Sequence, residues 1–177
     1  MQSDYFGIIE EDWVGISSEY KFSIPYFEKE VEVFLGSHID SDGEERKTLP
    51  TDNKLIQYEE TLKSFLENID ETINQIKEKA FENYKEFYAE HYEKEFILDG
   101  LFETDEEEGR THKPLNICSK DIHFEYMKDI NILRVLNDKK ILLEIFYKLD
   151  SEHGLEILLQ ENKVISISGL GDHWTIQ

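Results

Sequence analysis

Apolar and polar residues alternate at Tyr20-Lys-Phe-Ser-Ile and again at the start of Val31-Glu-Val-Phe-Leu. This period of two is the mark of a strand with one buried face. Pro25-Tyr-Phe-Glu-Lys between them predicts a hairpin turn, and Gly36 closes the second strand. Residues 5–36 as a whole read as β. From Ser37 to Asn53 the chain is polar, and Asp40-Ser-Asp-Gly and Thr48-Leu-Pro carry turn chemistry, so a loop is expected. The period then changes. Ile56, Leu62, Phe65, Leu66, Ile69, Ile73, Ile76, Ala80, Tyr84, Phe87 and Tyr88 fall mostly three or four apart, with Glu and Lys filling the other positions. That is one apolar stripe on a helix, with Thr51 or Asp52 as its cap. A single helix over 54–92 would be about 58 Å long at 1.5 Å per residue. A break is therefore expected between Asn68 and Asn74, where Asn and Thr lower helix propensity.

Residues 93–113 lose the period. Phe96-Ile-Leu and Leu101-Phe102 give way to Glu103-Thr-Asp-Glu-Glu-Glu-Gly, which reads as a solvated acidic loop. Within 114–129, Ser119 stands where a cap belongs, ahead of Ile122, Tyr126 and Met127, and predicts a short helix. The remainder alternates between apolar runs and turns. Ile130–Leu136, Ile141–Leu149, Leu155–Leu159 and Val164–Ser168 are separated by Asn137-Asp138, Asp150-Ser-Glu-His-Gly and Glu161-Asn162. Four strands joined by such short turns form an antiparallel meander. Strands, then helices, then strands indicate an α+β domain over 1–177. The expected architecture is an antiparallel sheet of about six strands, an N-terminal hairpin plus the C-terminal meander. The long or broken helical segment packs on one face.

Charge narrows the functional classes. The 177 residues carry 40 acids and 19 bases, a net charge of -21. Nucleic-acid binding needs clustered Lys and Arg, so it is not expected, and anionic membrane surfaces are disfavoured for the same reason. Residues 1–53 hold 13 acids against 4 bases, and residues 82–113 hold 11 against 4. A surface of one sign keeps a protein soluble, and it also draws in a partner of the opposite sign. Met1-Gln-Ser-Asp-Tyr-Phe-Gly lacks the basic and apolar regions of a secretory signal, no apolar run approaches a bilayer's thickness, and Cys118 is the one cysteine. Together these predict a soluble, cytoplasmic protein.

Candidate chemistry is sparse. The six histidines include no pair at i,i+3 or i,i+4 spacing, so neither a metal site nor a cofactor is expected. In Asp40-Ser-Asp-Gly the glycine stands at the fourth position, where an EF-hand needs it at the sixth. No G-x-S-x-G is present, and Cys118, between Ile117 and Ser119, reads as a small buried residue. Gly169-Leu-Gly171 follows a strand but leaves too little chain for a phosphate-binding helix. Trp13 reads as a core residue, and Trp174 as core or as an exposed anchor. Asp150-Ser-Glu-His153-Gly154 combines an acid, a base and a glycine. Either the carboxylate caps the turn and Gly154 takes a positive φ, or His153 and Asp150 do hydrolase-like acid–base work. Self-association through the long helix is a further possibility, and oligomeric state is not legible.

Two short motifs carry a resemblance. Tyr5-Phe-Gly ahead of a hairpin and an acidic helical stretch resembles small uncharacterised bacterial proteins that open on Y-F-G. Asp150-Ser-Glu-His-Gly-Leu, followed by Lys163-Val-Ile and Gly169, is similar to a group with a D-x-E-H-G-L turn before the last hairpin. Some members resemble the immunity proteins that accompany bacterial polymorphic and contact-dependent inhibition toxins. The resemblance implies a non-enzymatic cytoplasmic protein that binds and blocks a cognate toxin domain, and it supplies no catalytic residue. A toxin that attacks nucleic acid is basic, so an acidic face suits it. The residues expected to meet it are Asp99, Glu103, Asp105, Glu106, Glu107, Glu108, Asp40, Asp42, Glu44, Glu45 and Trp174. The Glu103–Glu108 run has no counterpart in either pattern.

Overall fold

The computed structural model describes residues 1–38, 48–93 and 114–169. The first part is β1 (Gln2–Ser3), β2 (Gly7–Asp12), β3 (Gly15–Ser23) and β4 (Glu30–Leu35). Four helices follow: α1 (Asp52–Glu67), α2 (Ile69–Phe87), α3 (Ala89–Tyr92) and α4 (Lys120–Phe124). The chain then forms β5 (Asp129–Val135), β6 (Lys140–Phe146), β7 (Leu155–Gln160) and β8 (Lys163–Ser168). The helical boundaries follow the local chemistry. Thr51 Oγ1 accepts from the Lys54 amide at the start of α1, and Ser119 Oγ accepts from the Ile122 amide at the start of α4. The break between α1 and α2 is at Asn68, which leaves helical geometry (φ -107°, ψ 19°) and donates its side-chain amide to Ser64 O at 2.8 Å.

The domain is α+β, with one eight-stranded sheet in the order β1 to β8. Two expectations need correction. The sheet gains β1 and β2, and it is mixed, because β4 and β5 are parallel, with Val33 opposite Leu133 and Leu35 opposite Val135. Antiparallel neighbours can be joined by a turn, whereas parallel neighbours need a crossover. The stretch between Leu35 and Asp129 supplies it and contains the four described helices. β2 was missed because Ile8-Ile9-Glu-Glu does not alternate, although Ile9 is fully buried and Ile8 is exposed.

The main core lies between the sheet and the helices. Phe6, Leu62, Phe65, Ile76, Leu133, Leu143, Ile145 and Tyr147 are fully buried in it. Leu142 and Leu158, which pair across β6 and β7, form a smaller cluster with Leu136; side chains alternate along a strand, so they project to the opposite face from Leu143 and Ile157. The helical stripe is slightly narrower than its spacing predicts, since Ile56 and Phe87 are exposed. Tyr5-Phe6-Gly7 is a structural motif. Phe6 anchors in the core, and Gly7 adopts φ +74° where an added Cβ would lie 2.8 Å from the Tyr20 ring. Among the described residues, no helix is long and apolar enough to cross a membrane.

Candidate partner-binding end of the sheet

Strand directions bring distant turns together. β2, β4, β5 and β7 run one way and β3, β6 and β8 the other. The β2–β3, β5–β6 and β7–β8 turns therefore share one end of the sheet with the last residues of β4. At the first of these turns Asp12 pairs with Gly15, leaving Trp13 and Val14 at the tip. Trp13 is 80% exposed, and its amide donates to Asp12 Oδ1 at 2.5 Å.

A buried cation fixes this tip. Arg134 of β5 is 3% exposed. It donates through Nη2 to Val14 O at 2.9 Å and through Nη1 to Gly36 O at 3.1 Å. Its guanidinium lies 5.2 Å from the centre of the Phe34 ring. Burial lowers its pKa to about 10, against the attraction of Glu144 and Glu156, so it stays charged at neutral pH. Gly15 has φ +118°, a conformation that favours glycine, beside the same guanidinium.

Next to the tip, β3 shifts register between Ser17 and Lys21. Ser18 spans the irregularity, accepting from the Val33 amide at 3.1 Å and donating to Tyr20 O at 2.9 Å. A groove of about 300 Å³ lies here, lined by Glu10, Glu11, Asp12, Glu19, Glu32 and the two serines. None of these carboxylates forms an ion pair with a described residue. Glu19 does accept from the Ile8 amide at 2.9 Å.

A second, larger cleft of about 650 Å³ separates α1 from the other two turns. Asp138, Lys139, Glu161 and Asn162 line it with positive φ, as two-residue hairpin turns require. Its polar groups largely satisfy one another. Asn137 Oδ1 accepts from Lys54 Nζ at 2.6 Å and from the Tyr58 hydroxyl at 3.3 Å, and Asn162 Nδ2 donates to Ser64 Oγ at 3.0 Å.

The Asp150–Gly154 turn lies at the opposite end of the sheet. Asp150 Oδ1 accepts from the His153 amide at 3.2 Å and meets His153 Nδ1 at 2.9 Å, while its Oδ2 accepts from the Tyr88 hydroxyl at 3.1 Å. Gly154 has φ +56°. These bonds hold Asp150 below its usual range despite partial burial, and raise the exposed His153. They fit the turn-capping alternative, and the clefts described above are lined by neither residue. Behind this turn, Tyr92 donates its hydroxyl to Leu149 O, and His123 is fully buried with Nε2 2.7 Å from the Tyr147 hydroxyl. Among the described residues, the Nδ1 of His123 has no hydrogen-bond partner. Desolvation lowers its pKa to about 4.

The expected contact residues Asp40, Asp42, Glu44, Glu45, Asp99, Glu103, Asp105, Glu106, Glu107, Glu108 and Trp174 all lie outside the described residues. Two other readings are corrected. Trp13 is exposed, because a side chain at a two-residue tip projects past the sheet's end. Cys118 is exposed too, just before the α4 cap. The groove acids were missed singly because they read as the polar half of strands. The signal available was Glu10-Glu-Asp-Trp-Val-Gly, an aromatic at a glycine-closed turn after three acids. Among the described residues, no group of three or more His, Cys, Asp or Glu converges to hold a metal ion.

No curated protein and no solved structure matches the chain. One family does match, over residues 5–174, a span that includes the Trp13 tip, the acidic groove and the turn-lined cleft, and the chain belongs to that family, a domain of unknown function (DUF6985).

Proposed function

We propose that this chain is a binding protein that occludes a basic partner, in the manner of an immunity protein for a bacterial toxin domain. The observation that carries the reading is the groove lined by five acidic residues beside the Trp13 tip, none ion-paired with a described residue. Like charges gathered on neighbouring strands repel one another, and a basic partner would relieve that repulsion on docking. The net charge of -21 extends the same field beyond the groove. The reading requires no catalytic residue and no cofactor. It places the protein in the cytoplasm beside the toxin it neutralises. The hydrolase alternative has less support, since Asp150 and His153 bond to each other and to the turn's backbone.

The test is capture on the tagged protein from its source cells, with washes of rising salt, followed by expression of the captured polypeptide with and without this chain. The expected result is a basic polypeptide released by salt, whose expression arrests growth unless this chain is present. A captured polypeptide that is harmless alone, or one retained equally at all salt concentrations, would overturn the reading.

A further inference from the structure

We infer that Trp13 is the anchor of the interface and that it takes an arginine of the partner, stacked on the indole face with its guanidinium against the carboxylate of Asp12 at the edge of the acid-lined groove. The inference rests on the binding reading above and assigns its central contact. A tryptophan 80% exposed at a strand-to-strand tip gains nothing from the core. Exposed indoles are costly in water and concentrate at binding hot spots. The tip is also held more firmly than a surface turn requires. Arg134, 3% exposed, reaches from β5 to the Val14 carbonyl and ties it to the Gly36 carbonyl at the end of β4. A buried guanidinium is expensive unless its hydrogen bonds are made, and here one goes to the carbonyl beside the exposed indole and the other braces it against the end of β4. Such support fixes an anchor before the partner arrives and reduces the ordering cost of binding.

The neighbouring groups specify the occupant. Asp12 directly precedes Trp13, and it lines the acidic groove together with Glu10, Glu11, Glu19 and Glu32. An aliphatic plug would leave these carboxylates facing an apolar surface. An ammonium would satisfy the charge but offers no planar face. Guanidinium does both, stacking on indole and bridging carboxylates through its planar fork. Arg134 is a positioning residue, because it touches the backbone that carries Trp13 and not the partner's arginine.

The test uses a hexa-arginine peptide, with hexalysine and hexacitrulline as controls, titrated into the Trp174→Phe chain so that Trp13 alone emits. The expected result is a saturable change in Trp13 emission with hexa-arginine, weaker binding of hexalysine and none of hexacitrulline. Trp13→Ala, followed by calorimetry, should weaken hexa-arginine binding about thirtyfold, the scale of a hot-spot residue. Arg134→Lys should raise the local mobility of the indole, read by time-resolved anisotropy, and weaken binding at unchanged binding stoichiometry. If Trp13→Ala binds as tightly as the parent while Glu10→Gln/Glu11→Gln binds weakly, the anchor is overturned and the acidic-face reading stands. If hexa-arginine fails to bind at low salt, both fall. Equal binding of hexa-arginine and hexalysine would overturn the arginine assignment.

Discussion

Acidification below neutral pH places a proton demand on His123 that the folded protein resists. The side chain, on α4, is fully buried against α2 and the residue after β6, with the Phe81, Tyr84 and Tyr147 rings around it. Desolvation takes its pKa from 6.5 to about 4. The unfolded chain therefore binds a proton through this window while the folded chain does not. The stabilisation is complete above the unfolded value and is lost as pH falls from 6.5 to 4. Each pKa unit corresponds to 1.36 kcal/mol, so the full loss is about 3 kcal/mol. Glu144 opposes this. Desolvation raises it from 4.5 to about 7, with Arg134 lowering and Glu156 raising it. Its stabilisation is present at low pH and is lost as pH rises through that range. Between about pH 4.5 and 6.5 the two linkages nearly cancel, so the parent protein alone hides both. His123→Gln separates them, since glutamine cannot titrate and can still meet the Tyr147 hydroxyl. Urea unfolding of parent and variant from about pH 7 to about pH 4 should show their stability difference change by about 2–3 kcal/mol, with the parent losing ground toward acid. A difference constant across that range would refute the account of His123 as a buried neutral imidazole.

Glu144→Gln should stabilise the protein above neutral pH by about 1–3 kcal/mol and leave it nearly unchanged at acid pH, as thermal melts at both conditions would show. Gly7→Ala forces a Cβ onto the Tyr20 ring at positive φ, and should lower stability by about 1–3 kcal/mol in denaturant titration. Lys139→Gly relieves a left-handed residue at an exposed hairpin tip and should raise the melting temperature, by about 1 kcal/mol of stability. Trp13→Ala should leave stability within about 0.5 kcal/mol of the parent, as expected for an exposed side chain away from caps and packing.

Local chemistry fixed most of the elements. Thr51, Asn68 and Ser119 act where side-chain competition for backbone groups predicts, and the Asn137-Asp138 and Glu161-Asn162 tips sit between β5, β6, β7 and β8 as the turn residues require. These signals lie within a few residues of one another, so the order of the chain is enough to reveal them. The acidic character of residues 1–53 was equally plain. What neighbours β4 was not, because a period of two is the same in a parallel and an antiparallel strand; only the helical crossover packed on one face decides it. The clasp on the Trp13 tip depends on that same choice. Arg134 reaches Val14 and Gly36 only because β5 lies beside β4, which joins residues 98 and 120 positions apart in the chain. His123 likewise reads as one polar residue on a short helix until α2 and Tyr147 close over it. The sequence alone determined most of the elements and the acidity of the N-terminal part, and tertiary packing decided which side chains are buried, which is exposed and which cation holds it.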